Sequence, residues 1–323
     1  MENNIIENFK NFILSKYKNS QEEDLKVLFE GFGHHITEDD VTDYDFSMLV
    51  NSYPNSKSDV YQKNFQKLDS LYRIILNSCK PTQNNGDNTS FTRMKTTALR
   101  ILETYNIARN EGIADLYLKT EAIPSNWFTN NKYWLNYSID NIKNNLKIKI
   151  ISDSNLKKIQ SRELKTPLRM SSRVKIEESV NQGRLMSTKM IKSTTAIPNL
   201  SLKYCIVDID RKWLTTSLFT YFKNWYVPKK RKGAFSIDSI DFQYIPVAMI
   251  VIRKLQINAA WSKEDLQNIS KAVSIGPFSL IKSEWSNNGT RLQNENTQII
   301  GWICSKLPQI PPQSDPSLSP NNI

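Results

Sequence analysis

Three groups of residues have the types and spacing that chemistry would need. Asp208 and Asp210 lie two apart at the end of an extended apolar stretch. Both therefore face one side, as carboxylates holding a metal-bound nucleotide would, although ion pairs with the adjacent Arg211 or Lys212 would use them without any reaction. His34-His35 precede Glu38, Asp39, Asp40, Asp43 and Asp45. These supply oxygen ligands for a divalent cation but match no calcium-loop spacing, and an acidic helix-capping turn is the better reading. Asp153 with Glu163-Leu164-Lys165 has the residue types of a metal-dependent nuclease, yet its flanking sequence makes a poor strand.

Other chemistries lose their sequence basis. With only nine glycines in 323 residues, the chain has no G-x-x-x-x-G-K-[ST], G-x-G-x-x-G or G-x-S-x-G motif. Phosphate-cradling loops and a nucleophile elbow are thus not encoded in recognisable form. Two histidines, no H-E-x-x-H and no C-x-x-C pair argue against zinc. No cofactor is expected.

A binding surface is the more specific signal. Arg211, Lys212 and Trp213 are followed by Trp225 and the adjacent cations Lys229, Lys230, Arg231 and Lys232. Aromatic faces beside cations suit single-stranded nucleic acid or a protein hot spot. Core packing of the two tryptophans and a solvated turn for the four cations account for the same residues.

Charge placement points the same way. The net charge is +11, but residues 1 to 50 hold 4 basic and 11 acidic side chains, whereas residues 151 to 250 hold 18 and 8. An acidic end and a basic centre suit a nucleic acid, an acidic surface, or a neighbouring copy. Lysine, asparagine and isoleucine are abundant throughout, so part of the excess is compositional. The longest apolar stretch, Tyr244 to Ile252, is too short to span a membrane. Met1-Glu2-Asn3-Asn4 does not begin a secretory signal, and Cys79, Cys205 and Cys304 are an odd, widely spaced set. A cytoplasmic location is expected, and signal-independent export is compatible with the same sequence.

The elements that would position these residues form an α+β order. Residues 1–114 read as an antiparallel helical region. Its apolar stripes run Ile5 to Tyr17, Leu25 to Phe29, Ser58 to Cys79 and Ser90 to Gly112. All seven tryptophans fall from Trp127 onward, and residues 115–307 read as a mixed, strand-rich domain with a basic excursion at 153–199. Its strands are Leu146–Ile150, Leu200–Asp210 and Phe242–Ile252, with Pro246 limiting the last to an edge or bend. Thr215, Thr216 and Ser217 precede Leu218, Phe222 and Trp225 at helical spacing. Ser262-Lys263-Glu264-Asp265 opens another helix with Leu266 inward, and Asn288-Gly289 marks a hairpin turn. Prolines 308, 311, 312, 316 and 320 make residues 308–323 an extended tail that buries little.

These features rank a non-enzymatic interaction or assembly protein first, with a protein partner or self-assembly. A binder of nucleic acid or another polyanion comes second, and a metal-dependent hydrolase or nuclease third. Changing Lys229, Lys230, Arg231 and Lys232 together to serine tests the basic loop. If these residues contact phosphates, the slope of log affinity against log salt flattens by roughly 3, at about 0.7–0.9 per contact, while the melting temperature hardly moves. Unaltered retention on heparin would make the loop a solvated turn.

Overall fold

The structure is a computed structural model. It describes residues 5–17, 24–55, 60–63, 66–82, 88–106, 117–142, 147–151, 188–192, 197–228, 242–269, 272–286 and 289–316. In chain order the first elements are α1 (Ile5–Lys16), β1 (Leu25–Ile36), a 3-10 turn (Glu38–Val41), α2 (Asp43–Val50), α3 (Leu68–Ser78), β2 (Lys80–Pro81) and α4 (Asn88–Asn106). Then come β3 (Glu121–Ile123), β4 (Leu135–Ile142), β5 (Lys147–Ile151), β6 (Thr188–Lys192), β7 (Ile197–Asp210), α5 (Ser217–Tyr221) and β8 (Trp225–Tyr226). The last are β9 (Tyr244–Asn258), α6 (Lys263–Ile269), β10 (Ala272–Ile275), β11 (Phe278–Ser279), β12 (Glu284–Ser286), β13 (Arg291–Asn294) and β14 (Thr297–Lys306).

The β-branched stretches around Val207 and Val251 become the two longest strands and pair with each other, Cys205 opposite Val251 and Val207 opposite Met249. β9 is the middle of an eight-stranded antiparallel sheet. β7 flanks it on one side, and β13 followed by β14 on the other. β3 and β4 lie outside opposite ends of β7, β12 outside β13, and β1 outside β14. A four-stranded sheet, β11-β10-β5-β6, and the pair β2-β8 complete the strands. Few helices beside large antiparallel sheets make this an α+β fold.

Among the described residues three apolar clusters hold it together. On one face of the large sheet, Leu200, Leu202, Ile250, Ile252, Leu255 and Ile257 pack beneath Phe9 and Ile13 of α1 and Phe278 of β11. On the other face, Cys205, Val207, Met249, Val251 and Trp302 pack beneath Phe46, Leu49 and Val50 of α2, with Tyr61 and Trp127. A third cluster gathers α3, α4 and α5 around Trp213, Trp225, Phe242 and Leu307. Gly301 is fixed by close approach: a Cβ there would lie 2.8 Å from the Leu28 carbonyl oxygen on β1.

Several expectations are corrected by this arrangement. The stripe Leu25 to Phe29 is a strand, because its backbone finds the open edge of β14, Leu25 opposite Ser305 and Phe29 opposite Gly301. Among the described residues the N-terminal helices do not share one core, since α1 packs on the sheet while α3 and α4 belong to the third cluster. The helix before Cys79 starts only at Leu68. Trp225 lies in a two-residue strand rather than in the helix before it.

Pro246 sits in the central strand, which an absent N–H should forbid, but it lies beyond the last β7 rung, Asp208 opposite Ala248. Only one neighbouring strand needs hydrogen bonds there. Leu266 faces outward, 37% exposed. β12 and β13, on either side of the Asn288-Gly289 signal, do pair antiparallel, and Gly289 has φ +81°, while Asn288 lies outside the described residues. Within the excursion at 153–199, residues 188–192 form β6 and residues 197–199 begin β7, while residues 153–187 and 193–196 lie outside the described residues.

The described part of the tail is docked. Ile310 packs against the third cluster, the Gln313 amide donates to the Trp225 carbonyl at 3.2 Å, and Asp315 is buried. Ending the chain at Pro308 should therefore lower the melting temperature by a few degrees, at about 2–4 °C per kcal/mol lost. An unchanged melting curve would show that these contacts contribute nothing.

Candidate functional site

Of the aromatic and basic residues singled out in sequence, Trp213, Trp225 and Arg211 are buried rather than laid out on a surface. Trp213 and Trp225 are both 0% exposed. The Trp213 indole donates to Thr120 Oγ1 at 3.1 Å, and that of Trp225 to the Phe222 carbonyl at 2.9 Å. Burial satisfies both polar tips, so the rings serve as core, and stacking on a ligand is closed to them.

Arg211 is also buried, at 7% exposure. Its guanidinium donates to the carbonyls of Pro246 and Val50, tying the start of β9 to the end of α2. Burial lowers its pKa to about 10. Lys212 is exposed and paired with Glu121 at 2.7 Å. Lys229, Lys230, Arg231 and Lys232 lie outside the described residues.

Several of the carboxylate and histidine side chains within the described residues make local structural contacts. Asp208 is half-buried, and burial raises its pKa, with a hydrogen bond from Tyr17 opposing the shift. Asp40 accepts from the backbone and hydroxyl of Thr37, each at 2.8 Å, and Thr42 caps α2 by accepting from the Asp45 amide. The acidic run is thus a pair of helix starts, as its capping pattern suggests. His35 Nε2 meets Ser279 Oγ at 2.8 Å, joining β1 to β11.

Among the described residues no group of three or more His, Cys, Asp and Glu is placed to hold a metal ion. Asp153, Glu163 and Lys165 lie outside those residues. Burial pushes the Cys79 thiol to about 11 and the Cys205 thiol to about 12, and raises Cys304 further still. All three are buried, so none is a thiolate nucleophile at neutral pH.

A different site emerges from the strand register. Beyond the ground covered by α2 and Trp127, one face of the large sheet carries only polar side chains, arranged in three rows. The first row runs Asp140, Asn199, Asn258, Arg291 and Ser286 across β4, β7, β9, β13 and β12. The second runs Ser138, Ser201, Gln256, Gln293 and Glu284 across the same strands. The third is Asn136, Lys203 and Arg253. Every one of these side chains is half-buried or exposed, while Leu200, Leu202, Leu255, Ile257 and Leu292, on the reverse of the same strands, are buried.

The first row is a hydrogen-bonded ladder. Asn199 Nδ2 donates to Asp140 Oδ1 at 2.6 Å and to Ser138 Oγ at 3.1 Å. Asn258 Nδ2 donates to Asn199 Oδ1 at 3.0 Å, and Arg291 Nε to Asn258 Oδ1 at 2.9 Å. At the third row the Arg253 guanidinium lies 4.0 Å from the ring centroid of Trp134 and donates to Asn131 Oδ1 at 2.6 Å. Lys132 covers the neighbouring Tyr133 ring at 4.7 Å.

This face depends on one residue. Lys254 adopts φ +55° and forms a bulge, so that Ser201 faces Gln256 while Lys203 faces Arg253. Without the extra residue, Gln256 and Asn258 would point into the apolar cluster and Leu255 and Ile257 into solvent. Polar residues at every second position of β4, β7 and β13 were the available signal in the sequence.

The fold and this face define an α+β protein with a large antiparallel sheet, open and polar over part of one side. Compared with known proteins, the chain matches no protein-family model, no curated protein and no solved structure. Among the described residues no helix is long and apolar enough to cross a membrane.

Arg211 and Lys212 offer a direct contrast. Arg211→Met leaves two buried carbonyls without a donor and should cost about 2–6 kcal/mol, at roughly 1–3 kcal/mol per orphaned group. Lys212→Ser, in an exposed pair, should change stability by less than about 1 kcal/mol. Urea denaturation of the two variants measures both, and equal effects would contradict the structural role given to Arg211.

Proposed function

We propose that this chain is a non-enzymatic interaction or assembly protein and that its partner docks on the open polar face of the large sheet. One observation carries the reading: the ladder from Asp140 through Asn199 and Asn258 to Arg291 fixes polar side chains across neighbouring strands without burying them. Side chains already held in place lose little freedom on docking, which lowers the entropic cost of association. A rigid sheet also positions contacts better than a loop does. The acidic N-terminal end and the basic centre of the sequence add a second support, since opposite charges on one chain favour self-association as well as capture of a charged partner.

Ser201→Trp tests the reading, because the position lies beside the central Gln256 in the second row and a bulky ring there obstructs the face while suiting a strand. The variant should keep the wild-type melting temperature within a few degrees and lose the complexes that the wild-type chain forms on native co-purification or sedimentation. Hydrogen exchange on the wild-type complex should show protection at residues 197–203 and 253–258. Complexes that survive the substitution, or protection elsewhere, would place docking on another surface.

A further inference from the structure

We infer that the occupant of the open face is a single-stranded nucleic acid, an inference that rests on the docking reading above. Charge comes first. Lys203, Arg253 and Arg291 lie on β7, β9 and β13, the three inner strands of the face, and Lys132 stands at its aromatic corner. The two acids, Asp140 and Glu284, lie on the outer strands β4 and β12, and the Asp140 carboxylate already accepts from Asn199. A phosphate backbone crossing the middle of the sheet therefore meets cations without meeting carboxylates.

The neutral side chains give the second argument. Asn, Gln and Ser carry both donors and acceptors, as base edges do, and Asn258, Gln256 and Gln293 stand among the cations. The corner formed by Arg253 over Trp134 adds a planar guanidinium held in a fixed orientation by the ring below and by Asn131. Bases stack on such planes as they do on aromatic rings.

Shape narrows the choice further. Five strands at roughly 4.8 Å spacing make a face about 19 Å wide. A flat sheet of that size does not enter a duplex groove, whereas unpaired bases can splay onto it. A protein partner fits less well, since interface centres draw on apolar and aromatic anchors and are depleted in lysine and serine. None of the side chains in the three rows is apolar. The chain's own stretch at 153–187 is rich in lysine and arginine and would meet like charge here.

The test uses the full chain, freed of nucleic acid by nuclease and high salt. Labelled oligo-dT and oligo-rU of about 20 nucleotides are compared with a duplex of the same length and with heparin, by fluorescence anisotropy over a salt series. Single strands should bind more tightly than duplex. The double variant Lys203→Gln/Arg291→Gln should flatten the salt slope by about 1.4, at about 0.7 per phosphate contact on a single strand, with little change in melting temperature. Ser201→Trp should abolish the single-strand preference, which checks the result with a variant that removes no charge.

Duplex and heparin binding as tightly as single strands, with neither variant affecting them, would place a general polyanion site elsewhere and overturn the inference. If oligonucleotides fail to bind while Ser201→Trp still removes a native protein complex, the nucleic-acid inference fails and the docking face stands. If neither oligonucleotides nor native complexes respond to Ser201→Trp, both fail.

Discussion

Everything on the large sheet depends on the register of β9, and that register turns on Lys254. A strand with side chains alternating strictly along Val251 to Asn258 would carry Arg253, Leu255 and Ile257 on one face and Ile252, Lys254, Gln256 and Asn258 on the other. Apolar and charged side chains would then share both faces. The left-handed conformation at Lys254 inserts one extra residue, so that Ile252, Leu255 and Ile257 all reach the same core. A β7 without a matching irregularity accepts this, because Lys203 pairs with Arg253 and Ser201 with Gln256. A non-glycine residue at positive φ carries a modest strain, offset by the burial of two large aliphatic side chains.

The other constraint is the unmet hydrogen bonding where β7 stops short of β9. Pro246 offers no N–H, and its carbonyl lies past the last rung. Arg211, the residue directly after β7, turns its guanidinium onto that carbonyl and onto the end of α2, and so replaces the missing strand with a side chain. The third cluster then assembles behind it: Trp213 follows by two residues, with Tyr72 and Leu218 around it. One cation thus joins the sheet, α2 and the start of the helical cluster, and its charge is spent on carbonyl oxygens rather than on an external ligand.

Legibility in the sequence followed the strength of local periodicity. β7 and β9 were readable because apolar, β-branched and aromatic residues are concentrated in them, with partial alternation in β7 and a continuous apolar run in β9, and α1 and α4 because their apolar stripes keep helical spacing. β1 was not readable. Leu25, Val27, Leu28 and Phe29 fit a helix stripe as well as a strand, and only the open edge of β14, far away in sequence, decides between them.

The basic, aromatic stretch left a binding surface and core packing both open, and for Trp213 and Trp225 the structure bears out core packing, the reading that large aromatics at helical spacing favour. A cation beside a tryptophan in sequence says nothing about which of the two faces water. The open face escaped notice for the opposite reason. Its residues are unremarkable Asn, Gln and Ser spread from Asn136 to Gln293, and they come together only once five strands are in register.

The pairing of β1 with β14 also sets an order of events during synthesis. The first strand of the sheet hydrogen-bonds to the last, with Ile36 opposite Thr297. A ribosome adding roughly 5–20 residues per second needs on the order of 15–60 s between making the two. Throughout that interval Leu25, Val27, Leu28 and Phe29 have no sheet to join, and β9 lacks the neighbour that covers Val251. Such non-local closure is slow and leaves strand edges open to other chains. The nascent polypeptide therefore keeps this apolar strand without its pairing partner until its C-terminal third emerges. A stop codon ahead of β14 would leave a nearly full-length product whose N-terminal strand has nowhere to go.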